Sequence, residues 1–109
     1  MLVRVQRFEE AKSLLRKTIP ATRRVFGESD RLTLMMRKNH AKALYHDKSA
    51  TLDDLREAVG TLEETAPIAR RVFGGAHPTV AEMDESLQTA RQLLILRSMA
   101  AMSPPTGSA

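Results

Sequence analysis

The chain contains no cysteine and no tryptophan. Without thiols there is no disulfide framework, no cysteine zinc site and no thiol nucleophile. Aromatic residues make up only 4% of the chain, namely Phe8, Phe26, Tyr45 and Phe73. A β-sandwich or barrel fills its inner faces with aromatic and β-branched residues, so this shortage argues against one. Long hydrophobic runs are missing too. No apolar stretch approaches the roughly 18 residues that cross a bilayer, and the first residues lack a secretory apolar segment. The default expectation for such a sequence is a cytoplasmic address. A Gly-x-Gly-x-x-Gly loop, a Walker pattern, a nucleophile elbow and the kinase motifs are all absent, and Gly74-Gly75 is too short to cradle phosphate.

What is present fits one domain. The chain has 109 residues, of which 42% are hydrophobic and 28% charged. A domain of this size buries about two-thirds of its unfolded surface. Charge is uneven along it. Through Lys48 there are 12 basic and 5 acidic residues, a balance of +7. From Ser49 there are 5 basic and 8 acidic, a balance of −3, and together they give the chain's +4. A basic half can attract acidic peptides, nucleic acid or anionic lipid, or can be an ordinary solvated surface. The first 27 residues carry seven basic and two acidic residues, a balance that also mimics a mitochondrial presequence. The same stretch recurs later in the chain, which favours reading it as structure.

The recurrence is plain. Pro20-Ala21-Thr22-Arg23-Arg24-Val25-Phe26-Gly27 returns as Pro67-Ile68-Ala69-Arg70-Arg71-Val72-Phe73-Gly74, an offset of 47 residues. At that offset Glu10-Ala11 matches Glu57-Ala58, Leu15 matches Leu62, Thr18 matches Thr65, Met36 matches Met83 and Ala43 matches Ala90. A period between about 20 and 50 residues is the signature of a solenoid or array.

Each unit reads as two helices. Thr51 with Asp54 three residues on forms a capping signal. Leu52, Leu55, Val59, Leu62, Ala66, Ala69 and Phe73 then recur at alternating spacings of three and four, one stripe of a helix. Gly74-Gly75 stops it and Pro78 suits the first turn of the next helix. There Val80, Met83, Leu87, Ala90 and Leu94 form the apolar stripe, with Glu82, Asp84, Glu85, Gln88 and Arg91 on the free face. In the first half Val5, Phe8, Leu15, Ile19 and Phe26 form the stripe, with Ala11 and Leu14 beside it and Gly27 as the stop. Asp30 caps a second helix through Tyr45, with Leu32, Met36, Ala43 and Leu44 inward and Arg37, Lys38 and Lys42 outward. His46 to Ala50 is the connecting loop. Pro20 and Pro67 fall inside helical patterns, where each removes a hydrogen bond at a cost of about 3 kcal/mol. Because the stripe continues in phase across Pro67, one kinked helix is expected at each site.

This order of elements resembles the tetratricopeptide repeats of the kinesin light chain type. In that type the second helix carries Glu-Ala and ends at a glycine and His-Pro punctuation. Glu57-Ala58 and Gly74-Gly75-Ala76-His77-Pro78 carry the resemblance. Glu10-Ala11 and Gly27-Glu28-Ser29-Asp30-Arg31 carry it in degraded form. It spans residues 8 to 96. The period of 47 is longer than the family's usual repeat, and the Trp, Leu-Gly and Tyr of the general pattern are absent. The expected fold is all-α: antiparallel helical hairpins stacked as a short α-solenoid of about four helices with Pro-kinked second-type helices. The domain covers residues 1–102 and the tail 103–109 is expected to be disordered.

The resemblance implies a non-catalytic, cofactor-free protein-interaction module. Its first-type helices line a concave surface, so Arg37, Lys38, Asn39 and Lys42 are the expected contacts for a peptide or protein partner, an acidic one by charge complementarity. Reversing Arg37 and Lys38 to Glu is then expected to abolish capture without lowering the melting temperature. Two other readings stand beside it. The basic helices, from Arg4, Arg7, Lys12, Arg16, Lys17, Arg23 and Arg24 onward, suit nucleic acid or another polyanion, although aromatics for stacking are scarce. The chain is otherwise a purely structural piece of a longer array, or self-associates through its terminal faces. Catalytic and metal chemistry have little to work with. His40 and His46 are six apart, off one helical face, and His77 suits a helix cap. Glu9-Glu10, Asp53-Asp54 and Glu63-Glu64 are adjacent pairs that diverge on a helix, so they do not converge for acid–base work.

Overall fold

Glycine and polar caps divide the chain into four helices in a computed structural model that describes residues 2–102, with side chains over 9–102. The helices are α1 (Leu2–Phe26), α2 (Arg31–His46), α3 (Leu52–Phe73) and α4 (Pro78–Met102). The tail 103–109 and the side chains of Arg4, Val5, Arg7 and Phe8 lie outside the described residues. The two halves stop their long helices identically. Gly27 and Gly74 both adopt φ 95°, and their N–H groups donate to Arg23 and Arg70 carbonyls. Only glycine takes such a backbone at little cost.

The caps follow from the sequence. The Asp30 carboxylate accepts from the Leu32 N–H at 2.8 Å. Thr51 and Asp54 form a reciprocal capping box at 3.1 Å in each direction. His77 Nδ1 accepts from the Thr79 N–H at 3.1 Å, and Pro78 occupies the first turn of α4. Asp47 turns the chain between α2 and α3 by accepting from the Ser49 N–H. Both prolines lie inside uninterrupted helices. Their rings are exposed, so water can reach the Arg16 and Glu63 carbonyls that lose their donors.

Successive helices pack antiparallel, α1 on α2, α2 on α3 and α3 on α4, and α2 also approaches α4. Among the described residues α1 and α3 do not approach each other. Second-type helices that splay while first-type helices meet give a stack that curves toward α2 and α4. The core lies between α2, α3 and α4: Leu34, Leu44, Leu55, Leu62, Val80 and Met83 are almost wholly buried, with Ala41, Ala58, Ala69 and Ala90 letting the helices close up. The α3 stripe is inward as its spacing predicts, with Leu52 and Phe73 half-buried at its ends.

Three expected inward residues are not inward. Phe26 is 56% exposed and Leu32 49%, and Leu14, expected beside the stripe, is 64% exposed. The reason is position in the stack. Among the described residues α3 lies between α2 and α4, whereas α1 has a helix on one side only, so one of its apolar faces has nothing to cover it, and Leu32 falls on the stripe of α2 that its three neighbours leave open. Glu82, expected on the free face of α4, instead turns toward α2.

Candidate functional site

α2 is the central helix, with α1, α3 and α4 around it. Little of its circumference remains for solvent. That placement corrects the outward assignment of its cations. Arg37 and Lys38 are buried, and Lys42 is half-buried, while Asn39 is exposed. A helix with three neighbours buries its polar residues wherever those neighbours offer a counter-charge.

The counter-charges are carboxylates of the second half. Arg37 donates to Glu64 at 2.9 Å. Lys38 donates to one oxygen of Glu82 at 3.0 Å and Lys42 to the other. His40 Nε2–H donates to Glu57 at 2.8 Å, and Arg16 of α1 reaches the same carboxylate at 3.0 Å. Lys12 of α1 is buried against Asp47 at 3.3 Å, with Glu9 and Asp54 nearby. Five first-half cations (Lys12, Arg16, Arg37, Lys38 and Lys42) thus face acids beyond residue 49. The uneven charge along the sequence is in part an internal complementarity between helices. It also links α1 to α3, whose backbones stay apart, through Lys12, Arg16, Asp54 and Glu57.

These contacts shift the groups involved. Burial raises the Glu57 carboxyl, but hydrogen bonds from His40 and Arg16 outweigh it and hold the group below its ordinary value. The Arg37 hydrogen bond holds Glu64 down, and those of Lys42 and then Lys38 do the same for Glu82. Lys42 is raised by its bond to Glu82. Burial lowers Lys12, but Glu9 and Asp47 overcome it and raise the group. Thr33 Oγ1, Arg37 Nη1 and His40 Nδ1 are buried without a hydrogen-bond partner among the described residues. All three lie along the side of α2 between α1 and α3, where ordered water can serve them.

The inner face of the curve is formed by α2 and α4. They meet through the Lys38–Glu82–Lys42 cluster and through Tyr45, whose hydroxyl donates to Ser86 at 3.0 Å. On α2 the exposed positions Leu32, Asn39 and His46 and the half-exposed Met35 and Lys42 fall on one helical stripe beside this seam. Of the four expected contacts, Asn39 and Lys42 stand on that stripe, Lys38 lies beneath it, and Arg37 faces α3 instead. The sequence reading missed Tyr45, Ser86 and Glu82 as members of the α2–α4 seam. Only the sign reversal of charge between the halves signalled the pairs. Among the described residues no group of three or more His, Asp or Glu side chains is placed to hold a metal ion, and no helix is long and apolar enough to cross a membrane.

The family model for the tetratricopeptide repeat matches residues 1–31, which are α1 and the turn into α2, and supports a repeat of that kind there. No curated protein and no solved structure matches the chain. Tetratricopeptide repeats are in general protein-interaction modules and typically non-catalytic scaffolds.

Proposed function

We propose that the chain is a non-catalytic protein-interaction module that holds a peptide segment of a partner along the inner face of α2 and α4. The observation that carries this reading is the approach of α2 to α4 while α1 and α3 stay apart, which gives a curved face with an exposed amide at Asn39. An amide side chain there can pair with the N–H and C=O of an extended backbone. Lys42 offers a cation that an acidic side chain of the peptide takes over from Glu82. Arg37 and Lys38 act differently in this proposal. Committed to Glu64 and Glu82, they hold the face in place and do not meet the partner directly. The same pairs leave fewer cations for a polyanion, so heparin retention is expected to be weak with a shallow salt dependence.

Selection of peptides from a displayed library against the whole chain tests this. Selected peptides are expected to bind roughly tenfold more weakly to Asn39→Ala, the loss typical of a central interface contact. Lys42→Ala should weaken acidic peptides most, and neither variant should unfold. Peptides indifferent to both substitutions would place binding elsewhere and overturn the reading.

A further inference from the structure

α1 and α3 are the same helix of the repeat, so α3 is a template for what α1 can bind. Glu57 and Glu64 of α3 pair with His40 and Arg37 of α2, and beside them α3 turns a stripe of buried or half-buried residues, Ala58, Thr61, Thr65, Ile68 and Val72. At the repeat offset of 47 that face becomes Ala11, Leu14, Thr18, Ala21 and Val25 on α1. Spacings of three and four place these five on one stripe, on the flank of α1 that α2 leaves uncovered. Leu14 is 64% exposed and Val25 74%, although Val72 packs against the core. Even the threonines agree: Thr18 Oγ1 donates to the Leu14 carbonyl as Thr65 Oγ1 does to Thr61. In both helices the hydroxyl is thereby occupied within its own helix. A shallow depression lined by Glu9, Glu10, Ser13, Leu14 and Lys17 lies on this flank.

We infer that the free flank of α1 is a docking face for one amphipathic helix of a protein partner, seated as α2 is seated on α3. The rim charges set its sequence. Glu10 stands where α3 has Glu57, but Lys17 stands where α3 has Glu64. α2 meets the α3 rim with Arg37 and, three residues on, His40. The occupant of α1 therefore carries an acid three residues before a base, acid to Lys17 and base to Glu10. Over the first turns of α4 the other end of the stack offers a second copy little apolar surface. Leu34, Lys38, Ala41 and Tyr45 of α2 are buried by the next helices, and their α4 counterparts Ala81, Glu85, Gln88 and Gln92 are exposed and mostly polar. A polar outer face is how a repeat array is capped, and here it covers the first turns of α4, with Ile95, Leu96 and Met99 exposed farther along the helix. This docking face is separate from the inner face of α2 and α4 and does not depend on it.

The probe is a fluorescent, helix-stabilised peptide with the sequence of residues 31–46, made with Arg37→Glu and compared with the unaltered sequence, titrated into the whole chain. The Arg37→Glu peptide is expected to bind about fivefold tighter, the size of one exposed ion pair made and one repulsion removed. Lys17→Glu in the protein reverses the preference. Leu14→Asp abolishes binding of both, with an unchanged melting temperature because Leu14 is exposed, and leaves the binding of inner-face peptides intact. Equal affinities that ignore residue 17 overturn the inference. So does light scattering that finds a dimer of the unaltered chain which Leu14→Asp converts to monomer, since the face would then serve a second copy.

Discussion

Leu15 and Leu62 hold the same place in two helices of one repeat, yet Leu62 is fully buried and Leu15 only half-buried. Among the described residues α3 is enclosed by α2 and α4, and α1 has α2 alone. The repeated residues therefore encode a face, and the number of neighbours decides how much of that face becomes core. Substitutions at equivalent positions measure the difference directly. Leu62→Ala should cost about 3 kcal/mol, within the usual range for a buried leucine, and Leu15→Ala about 1 kcal/mol or less, since little cavity is left at a half-open site. Urea unfolding of the two variants gives both numbers. Equal losses would mean that α1 is covered in solution by a second copy.

The charge pairs offer a second contrast, between cations α2 buries and cations α1 exposes. Arg37→Glu with Lys38→Glu would set buried carboxylates against Glu64 and Glu82. Because Glu64 is mostly exposed and Glu82 partly so, the loss is expected at about 2 kcal/mol, which lowers the melting temperature by roughly 10 °C. Tolerance of the reversal, the outcome expected when these side chains were read as outward, would mean that both pairs are loose in solution. Arg24→Glu on exposed α1 surface should stay within about 0.5 kcal/mol.

Acid titrates the same contacts. Glu57, Glu64 and Glu82 are held below their ordinary value of 4.5. A carboxylate whose pKa is lower folded than unfolded contributes stability that is full above 4.5 and fades as pH falls through the folded value. The urea midpoint is therefore expected to decline from pH 5 toward pH 3, and Glu82→Gln to flatten that decline. At the alkaline end the raised Lys12 and Lys42 contribute stability present below 10.5 and lost as pH climbs past their folded values. An acid limb as steep in Glu82→Gln as in the unaltered chain would remove Glu82 from the balance.

The helices were legible because local chemistry specifies them: the Thr51–Asp54 box, the glycine stops, Pro78, and the stripe from Leu52 to Phe73. The unbroken passage through Pro67 was legible from the phase of that stripe. The inner face was less so, for a physical reason. An amphipathic reading assumes one wet face and one dry one, and α2 has three dry ones. On such a helix a charged residue is inward or outward according to a carboxylate 27 or 44 positions away, as Arg37–Glu64 and Lys38–Glu82 are. The periodicity of residues 31–46 carries no information about those partners, so the cations that looked solvent-facing were the buried ones. Asn39 is exposed because it falls on the one stripe of α2 left open.

The smallest expected contrast isolates the neighbour effect from local sequence most closely. Phe26 and Phe73 follow the same Arg-Arg-Val and precede the same glycine. Phe73 lies 4.7 Å from the His77 ring, with the Arg31 guanidinium 5.4 Å from its centroid. At the repeat offset Phe26 has Asp30 in place of His77, and it is 56% exposed. Phe73→Ala loses partial burial, a ring contact and a cation–π contact, together about 1–2 kcal/mol. Phe26→Ala should remain within about 0.5 kcal/mol. His77→Ala sharpens the case, since it removes the ring contact and the cap on Thr79 while leaving Arg31 in place. Its loss should fall between the two phenylalanine values, near the 1 kcal/mol of an ordinary cap. If Phe26→Ala cost as much as Phe73→Ala, the identical local sequence would outweigh the turn that follows it, and the stack position would not be what separates the two halves.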